Sequence, residues 1–256
     1  MNVPAETAVV TGGGSGIGNH VVRRLVEHGV FVVVNDISSD ALADVDSEFT
    51  EQQVETVQGD ASSAETAQEL IDTAKSRSRS LDLVINNVGI AGPTSPCEEI
   101  ADEQFLSTLE VNLGSTFMVT KRAIPELKKG GGSIINFSSI SGKMPLERRV
   151  PYTTSKMGVI GFTRTLATEL ADDDIRVNAV CPGSVEGPRM DAVIQGQAES
   201  RDLSKQEVRE EFQSASPMDT LIDPEDVVDT VIFLSSDRSE RITGQDINVS
   251  GGAVMY

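Results

Sequence analysis

The chain has 256 residues, 38% of them hydrophobic, and no tryptophan, so it can bury an aliphatic core as one α/β domain or two small ones. Its net charge of −19, from 40 acidic and 21 basic residues, disfavours nucleic acids and anionic membranes as partners. No apolar run is long enough to span a bilayer, and the N-terminal residues do not resemble a signal peptide. We therefore expect a cytoplasmic protein.

The balance of charge also bears on the solvent in which the protein works. Only seven of the 21 basic residues are lysine, and the rest are arginine. Surplus carboxylates with scarce lysine favour a halophilic protein, whose self-repulsion is screened by high salt. An ordinary acidic cytosolic protein is the alternative.

The sequence offers no pattern of metal ligands. Cys97 and Cys181 are too few for a disulfide framework, and neither has a neighbouring Cys or His at metal-ligand spacing. His20 and His28 fall in one predicted helix, where surface exposure or helix packing explains them. We predict no metal site, which argues against a zinc dehydrogenase.

Short β-like runs alternate with helical patterns such as Ile17–His28 and Ala64–Ser76, which predicts βαβ units and a parallel sheet. The predicted strands are Thr7–Val10, Val30–Asn35, Glu55–Gln58, Leu83–Asn86, Ser133–Ser138, Arg176–Val180 and Asp246–Val249. We expect a single doubly wound α/β domain over residues 1–256, with seven parallel strands and helices on both faces. Its ligands should bind beyond the carboxyl ends of the strands.

One segment interrupts the alternation of strands and helices. About forty residues without a strand separate Cys181-Pro182-Gly183 from a helix near Pro224, and they include a polar helical pattern at Lys205–Phe212. An insertion of this length often forms a binding loop, so we predict a substrate lid at about residues 184–222. The alternative is a peripheral helix pair that only packs.

A glycine-rich stretch, Thr11–Gly18, follows the first strand and opens the first helix. Glycines let the backbone turn tightly and approach a pyrophosphate, and the helix N-terminus presents free N–H groups to the anion. The strand–turn–helix context makes this a stronger indication of dinucleotide binding than glycines alone.

Asp36 ends the second strand, eighteen residues after Gly18. A carboxylate at this position accepts hydrogen bonds from the adenosine ribose hydroxyls and repels the 2′-phosphate of NADP. Ser15, Ile37 and Ser38 supply no cation for that phosphate, so NAD is the predicted cofactor. The alternative is that Asp36 only caps the following helix.

Tyr152 and Lys156 are four residues apart and therefore share one face of a helix. An ammonium close to a phenol favours the phenolate, which can exchange a proton with a substrate oxygen during hydride transfer. A Tyr and a Lys at this spacing often occur by chance, so the motif indicates catalysis only together with other motifs. Ser139, at the end of the fifth strand, supplies a hydroxyl that can orient the same oxygen.

The ordered set of motifs resembles the short-chain dehydrogenase/reductase family in its single-domain form, over essentially the whole chain. The family's TGxxxGxG, NNAG and PG motifs match Thr11–Gly18, Asn86–Gly89 and Pro182-Gly183, and its C-terminal strand resembles Gly244–Val249. The resemblance implies an NAD-dependent oxidoreductase that interconverts a secondary alcohol and its carbonyl. Sugars, polyols and hydroxy acids are the substrate classes we consider.

The resemblance also implies a role for each matching residue. Tyr152 is the acid/base, Lys156 favours its phenolate and holds the nicotinamide ribose, and Ser139 positions the reacting oxygen. Asn112 holds a water that links Lys156 to solvent. The implied cofactor contacts are Gly12, Ser15, Gly16, Ile17, Gly18, Asp36, Ile37, Asp60, Ala61, Asn87, Gly89, Tyr152, Lys156, Pro182, Gly183 and Val185.

Two positions depart from the family pattern. Val88 replaces the usual alanine, and Gly187 stands where a threonine often binds the nicotinamide carboxamide. A dinucleotide-sensing module without turnover is the alternative function, but such relatives tend to lose the tyrosine or the lysine, and both are intact here.

Three arginines bear on the class of substrate. Arg148, Arg149 and Arg189 fall near the predicted active cleft and could pair with a substrate carboxylate, phosphate or sulfonate. Ion pairs with Glu147, Glu186 or a neighbouring subunit are the alternative.

Family resemblance favours a homotetramer that pairs through the helices carrying Asn112 and Tyr152. Its predicted apolar contacts are Leu109, Phe117, Val159 and Phe162.

Overall fold

Seven strands form one sheet in the computed structural model, which describes residues 2–77 and 80–256. They are β1 (Thr7–Thr11), β2 (Phe31–Asp36), β3 (Val54–Gln58), β4 (Leu83–Asn86), β5 (Gly132–Phe137), β6 (Ile175–Pro182) and β7 (Asp246–Val249). Neighbouring strands are parallel, and their order is β3-β2-β1-β4-β5-β6-β7. The predicted doubly wound sheet is confirmed, with strand bounds that differ by at most two residues.

Nine α-helices surround this sheet within the described residues. They are α1 (Gly16–Glu27), α2 (Ser39–Glu48), α3 (Ala64–Arg77), α4 (Asp102–Leu109), α5 (Ser115–Leu127), α6 (Val150–Glu169), α7 (Pro188–Arg201), α8 (Lys205–Ser214) and α9 (Pro224–Ser235). None of the helices in the described part of the chain is long and apolar enough to cross a membrane.

Side chains of the central strand alternate between two apolar layers. Ala8 and Val10 pack with residues of α1 and α9 on one face, and Val9 packs with residues of α3 and α5 on the other. All three are fully buried. Burial on both faces explains why the central strands are almost continuously apolar.

The segment at 184–222 is a pair of helices whose two ends meet. Ile222 donates its N–H to the Ser184 carbonyl at 2.8 Å and accepts from the Glu186 N–H at 2.9 Å. The predicted polar helix is α8. Helix α7 was missed, because its sequence distributes polar and apolar residues around the helix axis. The role of this segment as a lid stays a prediction.

One residue of the predicted subunit contact is wrongly placed. Val159 is fully buried inside the protomer and offers no surface to a partner. Phe117 is 43% exposed and meets Phe162 edge to face, with ring centroids 6.5 Å apart. Leu106 and Met157, which the sequence did not single out, are 62% and 56% exposed on α4 and α6. The homotetramer stays a prediction.

Candidate active site

A cleft of ≈ 1080 Å³ lies beyond the carboxyl ends of the strands. Residues that follow β1, β2, β4, β5 and β6 line it, which is where an open parallel sheet binds its ligands. Its volume exceeds that of most single-ligand sites, which are about 300–1,000 Å³, so a dinucleotide and a substrate both fit. All of the predicted cofactor contacts except Gly18 line the cleft.

The glycine-rich loop joins β1 to α1 at one end of the cleft. A Cβ on Gly18 would lie 2.1 Å from the Gly12 carbonyl oxygen, so Gly18 serves the packing of helix against loop. Gly16 has φ +53° and open space where a Cβ would be. The Ser15 side chain makes no capping hydrogen bond, and the first turn of α1 carries no acid. The N–H groups there therefore face the cleft without a competing carboxylate.

Asp36 joins the end of β2 to this loop. Its Oδ2 accepts a 3.0 Å hydrogen bond from the Gly14 N–H, and its Oδ1 accepts one of 3.1 Å from the Ser38 N–H. The alternative that Asp36 caps α2 is wrong, because the cap is Ser38, whose Oγ accepts from the Ala41 N–H. Asp36 lines the cleft and keeps lone pairs for a ligand.

Asn87 and Asp60 shape the same end of the cleft. The Asn87 side chain donates to the Gly12 and Thr11 carbonyls at 2.9 and 3.2 Å, which holds the glycine loop against the end of β4. Asp60 Oδ1 accepts from the Ser62 N–H and hydroxyl, both at 2.8 Å, in the turn before α3. Both side chains therefore stabilise the loops at this end of the cleft, in addition to any contact with a cofactor.

Tyr152 and Lys156 lie in the first two turns of α6 at the other end of the cleft. The Lys156 Nζ donates to the Phe137 carbonyl at 2.7 Å and lies 5.9 Å from the centroid of the Tyr152 ring. The Lys156 side chain is buried, and this burial, followed by the charge of Arg189, lowers the pKa of Lys156 to about 7. Lys156 can therefore take up or release a proton near neutrality.

Ser139 follows β5 and faces the same end of the cleft. Its Oγ accepts a 3.1 Å hydrogen bond from the Ser141 N–H, which caps a short 3₁₀ turn at Ile140–Gly142. A Cβ on Gly142 would lie 2.8 Å from the Lys156 carbonyl carbon, so this turn packs directly on α6. Since Oγ only accepts in that bond, its proton is free to be donated to a substrate oxygen.

Asn112 lies behind the cleft wall, in a π-helical stretch (Glu110–Gly114) between α4 and α5. It is fully buried, and its side chain accepts from the Ile90 N–H at 2.6 Å and donates to the Ile90 carbonyl and the Ser155 Oγ. These bonds tie the loop after β4 to α6. Thr116 Oγ1 donates a 3.3 Å hydrogen bond to the main-chain carbonyl of Asn112, and the role of Asn112 in holding a water stays a prediction.

The three arginines grouped by the sequence separate in the structure. The Arg149 and Arg189 guanidinium groups lie 5.0 and 5.8 Å from the centroid of the Tyr152 ring. Arg148 turns away, donates to the Ser200 Oγ at 2.6 Å and lies 3.7 Å from Glu147. The reason is local, because Arg148 has φ +61° and this turn sends the two neighbouring side chains in different directions.

Comparisons with known proteins agree with this architecture. A family model described as enoyl-(acyl carrier protein) reductase matches residues 12–254. Glucose 1-dehydrogenase 2 of Bacillus subtilis is 33% identical over 261 residues, which covers 100% of this chain and 97% of that protein. An actinorhodin polyketide ketoreductase with NADPH has a TM-score of 0.93 at 33% identity, covering 100% of both chains. An NAD⁺-bound xylitol dehydrogenase has a TM-score of 0.94 at 26% identity, covering 98% of this chain and 100% of its own.

Proposed function

Because this chain belongs to the short-chain dehydrogenase/reductase family, we propose that it is an NAD-dependent dehydrogenase of secondary alcohols with Tyr152 as its acid/base. The family membership makes it an oxidoreductase that uses a nicotinamide dinucleotide and acts on alcohols or ketones. The observation that carries the finer proposal is one cleft with Asp36 and the glycine loop at one end and Ser139, Tyr152 and Lys156 at the other.

The residues at the first end fit a dinucleotide. The open space at Gly16 and the uncapped, acid-free start of α1 accept a pyrophosphate. When bound, the nicotinamide of such a cofactor accepts or donates a hydride at the substrate carbon. Its ribose would lie against Lys156, and Val185 would meet its carboxamide.

The choice of NAD rests on Asp36. The ketoreductase relative is described with NADPH and the xylitol dehydrogenase with NAD⁺, so the fold serves both cofactors. The arginines that line the cleft lie away from Asp36, because Arg149 and Arg189 contact Tyr152 and Arg201 pairs with Glu211 at 2.7 Å. A 2′-phosphate next to Asp36 would therefore meet repulsion, with no compensating cation from the described arginines of the cleft.

The second end carries the proton chemistry. Ser139 donates a hydrogen bond to the reacting oxygen and fixes its position, and the Tyr152 hydroxyl exchanges a proton with that oxygen. Lys156, held by the Phe137 carbonyl, favours the Tyr152 phenolate when its ammonium is charged. Because the pKa of Lys156 lies at about 7, it also supplies or receives the proton that Tyr152 must exchange with solvent.

The proposal is tested by mixing the protein with NAD⁺ and a panel of sugars, polyols and hydroxy acids and by following NADH absorbance. We expect turnover with at least one class. Tight NADH binding with no turnover of any alcohol or ketone would favour the dinucleotide-sensing module instead.

A further inference from the structure

Two of the three arginines that line the cleft have no carboxylate partner within 4 Å among the described residues. Arg201 pairs with Glu211, as six other described arginines pair with carboxylates, whereas Arg149 and Arg189 belong to the six described arginines that do not. Both guanidinium groups instead lie near the ring of Tyr152, at 5.0 and 5.8 Å from its centroid. In a chain with 40 acidic residues, their position leaves the region around the acid/base locally positive.

Arg149 is buried with its hydrogen bonding incomplete. Its side chain is 2% exposed, and its Nη2 donates to the Ala91 carbonyl at 2.6 Å. Its Nε is buried and has no partner among the described residues. A guanidinium carries five N–H donors, and a buried donor without an acceptor is costly. Since Arg149 lines the active cleft, the missing acceptor has a place to bind.

Arg189 approaches the same place from α7. Its Nη1 donates to the Gly89 carbonyl at 3.1 Å, which turns the guanidinium toward Tyr152. Burial lowers the pKa of Lys156, and the charge of Arg189 lowers it further. Burial also lowers the pKa of Arg149; Tyr152 raises it, and the charge of Arg189 lowers it. Arg149, Arg189 and the protonated form of Lys156 thus repel one another at this end of the cleft.

The carboxylates of the cleft do not neutralise them. Glu186 pairs with Arg209 at 2.8 Å, and Glu211 pairs with Arg201 at 2.7 Å. Asp36 and Asp60 accept hydrogen bonds from loops at the end of the cleft that carries the glycine loop, the adenosine end. Among the described residues, the alternative of ion pairs with Glu147 or Glu186 holds only for Arg148, which lies 3.7 Å from Glu147.

We propose that the substrate carries an anionic group, a carboxylate, sulfonate or phosphate, and that Arg149 and Arg189 bind this group beside Tyr152. The proposal rests on the proposed dehydrogenase function and names the substrate class of the same site. The planar guanidinium offers paired N–H groups that match the oxygens of such anions. The anion would supply the acceptor that Arg149 lacks and would relieve the repulsion among the three cations.

The test compares matched substrates at one fixed KCl concentration. The pairs are 3-hydroxybutyrate with its methyl ester, glycerate with glycerol, glycerol 3-phosphate with glycerol, and 2-hydroxypropanesulfonate with 2-propanol. We expect the anionic member of at least one pair to have a kcat/KM at least about tenfold higher, since charge-assisted hydrogen bonds are the strong ones. The pair that responds distinguishes carboxylate, sulfonate and phosphate.

Arg189→Gln then links the preference to the residue. Its kcat/KM for the preferred anion should fall at least about tenfold more than its kcat/KM for the neutral partner, mainly through KM. Arg149→Gln should do the same, and Arg149→Lys should recover part of the loss. Arg23→Gln on the outer face of α1, where Arg23 pairs with Glu48, is the matched control for the loss of one charge. If Arg149→Gln does not fold, the exposed Arg189 still decides the question.

Several outcomes would overturn the inference. One is equal kcat/KM for the anionic and neutral members of every pair, with no selective effect of Arg189→Gln. Another is a loss in Arg189→Gln of NADH affinity rather than of anion recognition, which would assign Arg189 to the cofactor. A third is a change of molecular mass in light scattering, which would assign the arginines to a partner subunit. Failure of the dehydrogenase proposal differs from all three, because then no alcohol, charged or neutral, is oxidised.

Discussion

The two ends of the cleft differ in charge and in the way the chain builds them. The adenosine end consists of backbone N–H groups and the carboxylates Asp36 and Asp60, and most of it comes from one strand–loop–helix unit. The chemical end gathers Ser139, which follows β5, with Tyr152 and Lys156 of α6, and it carries the guanidinium groups of Arg149 and Arg189. The geometry of the adenosine end is set mostly by the local folding of one short stretch of sequence. The geometry of the chemical end is set by the packing of segments that are distant in the sequence.

This difference extends to stability. At the adenosine end, the Gly14 N–H donates to Asp36, and the Asn87 side chain donates to the Thr11 and Gly12 carbonyls. The chemical end holds the buried Lys156 amine and a buried guanidinium nitrogen of Arg149 that has no acceptor in the described part of the chain. Such groups cost free energy of folding, which is the usual relation between stability and an active site. Substitutions at the two ends should therefore fail in different ways.

The largest effect should come from Tyr152→Phe. Loss of the hydroxyl removes the acid/base, so turnover should fall by about 10²–10⁴-fold, whereas NADH affinity should change little because most cofactor contacts lie elsewhere. Steady-state rates and NADH fluorescence titration measure the two quantities. Tyr256→Phe, at the 76% exposed second tyrosine, is the matched control. Substantial turnover in Tyr152→Phe would reject the mechanism.

Lys156→Met should lower turnover and raise the melting temperature. Burial lowers the pKa of Lys156 from 10.5 to about 7, so between those pH values the unfolded chain binds a proton that the folded chain does not. The stability of the wild type should therefore rise with pH across this window, and the variant should lack that rise. The variant should melt higher by up to several degrees at pH 7, since each pKa unit is worth about 1.4 kcal/mol, and the gain should vanish near pH 10.5.

Melting curves between pH 6 and pH 10.5 check this expectation. The loss of the hydrogen bond to the Phe137 carbonyl sets a limit on the gain, because that acceptor is left without its partner. Lys121→Met is the control, since Lys121 is exposed over the ring of Phe117. A Lys156→Met variant that melts below the wild type by the same amount at every pH would show that the buried charge costs nothing.

The third effect concerns the adenosine end and is about tenfold. We expect the wild type to prefer NAD⁺ over NADP⁺ by at least about tenfold, since a close like-charge contact costs a few kcal/mol. Asp36→Asn keeps an oxygen for the Gly14 N–H and should reduce the preference below about threefold. Ile37→Arg added to it should reverse the preference, because Ile37 lines the cleft and is 70% exposed.

Values of kcat/KM for both cofactors with one alcohol measure the preference. Asp40→Asn removes a nearby charge that does not line the cleft, and should leave the preference unchanged. Equal use of both cofactors by the wild type would overturn the assignment of NAD.

The contrast between the two ends also sets how much the sequence could predict. The positions of the sheet, the glycine loop and Asp36 can be predicted from local patterns. The period of hydrophobic residues, the spacing of glycines and the ends of strands are all properties of contiguous residues. The separation of Arg148 from Arg149 could not be predicted, because it depends on a positive φ at a residue other than glycine. The π-helical stretch that places the Asn112 side chain behind the cleft has no sequence pattern that we could identify.

Packing between distant segments accounts for the other differences. Val159 is predicted in a subunit contact because the resemblance pairs subunits through the helix that carries Tyr152. It is fully buried in the protomer, because the rotation of that helix is set by its packing on the sheet. The burial of Arg149 likewise depends on the loop after β4, whose Ala91 carbonyl accepts its hydrogen bond. A pattern within α6 alone carries neither piece of information.

The smallest effect, salt, should separate stability from substrate binding. The net charge of −19 makes the carboxylates repel one another within the protomer and across any subunit contact. Because the Debye length falls from about 10 Å at 0.1 M to about 3 Å at 1 M salt, molar KCl should relieve most of this repulsion and raise the melting temperature. We also expect higher turnover at saturating substrate in molar salt.

At the chemical end the same ions screen Arg149 and Arg189, so the KM of an anionic substrate should rise with KCl while that of a neutral alcohol stays nearly constant. Melting curves, initial rates and light scattering from near zero to a few molar KCl measure these responses, with sucrose as the uncharged control. A flat or falling melting temperature and rate would reject the halophilic interpretation, and a monomer mass at every salt concentration would reject the homotetramer.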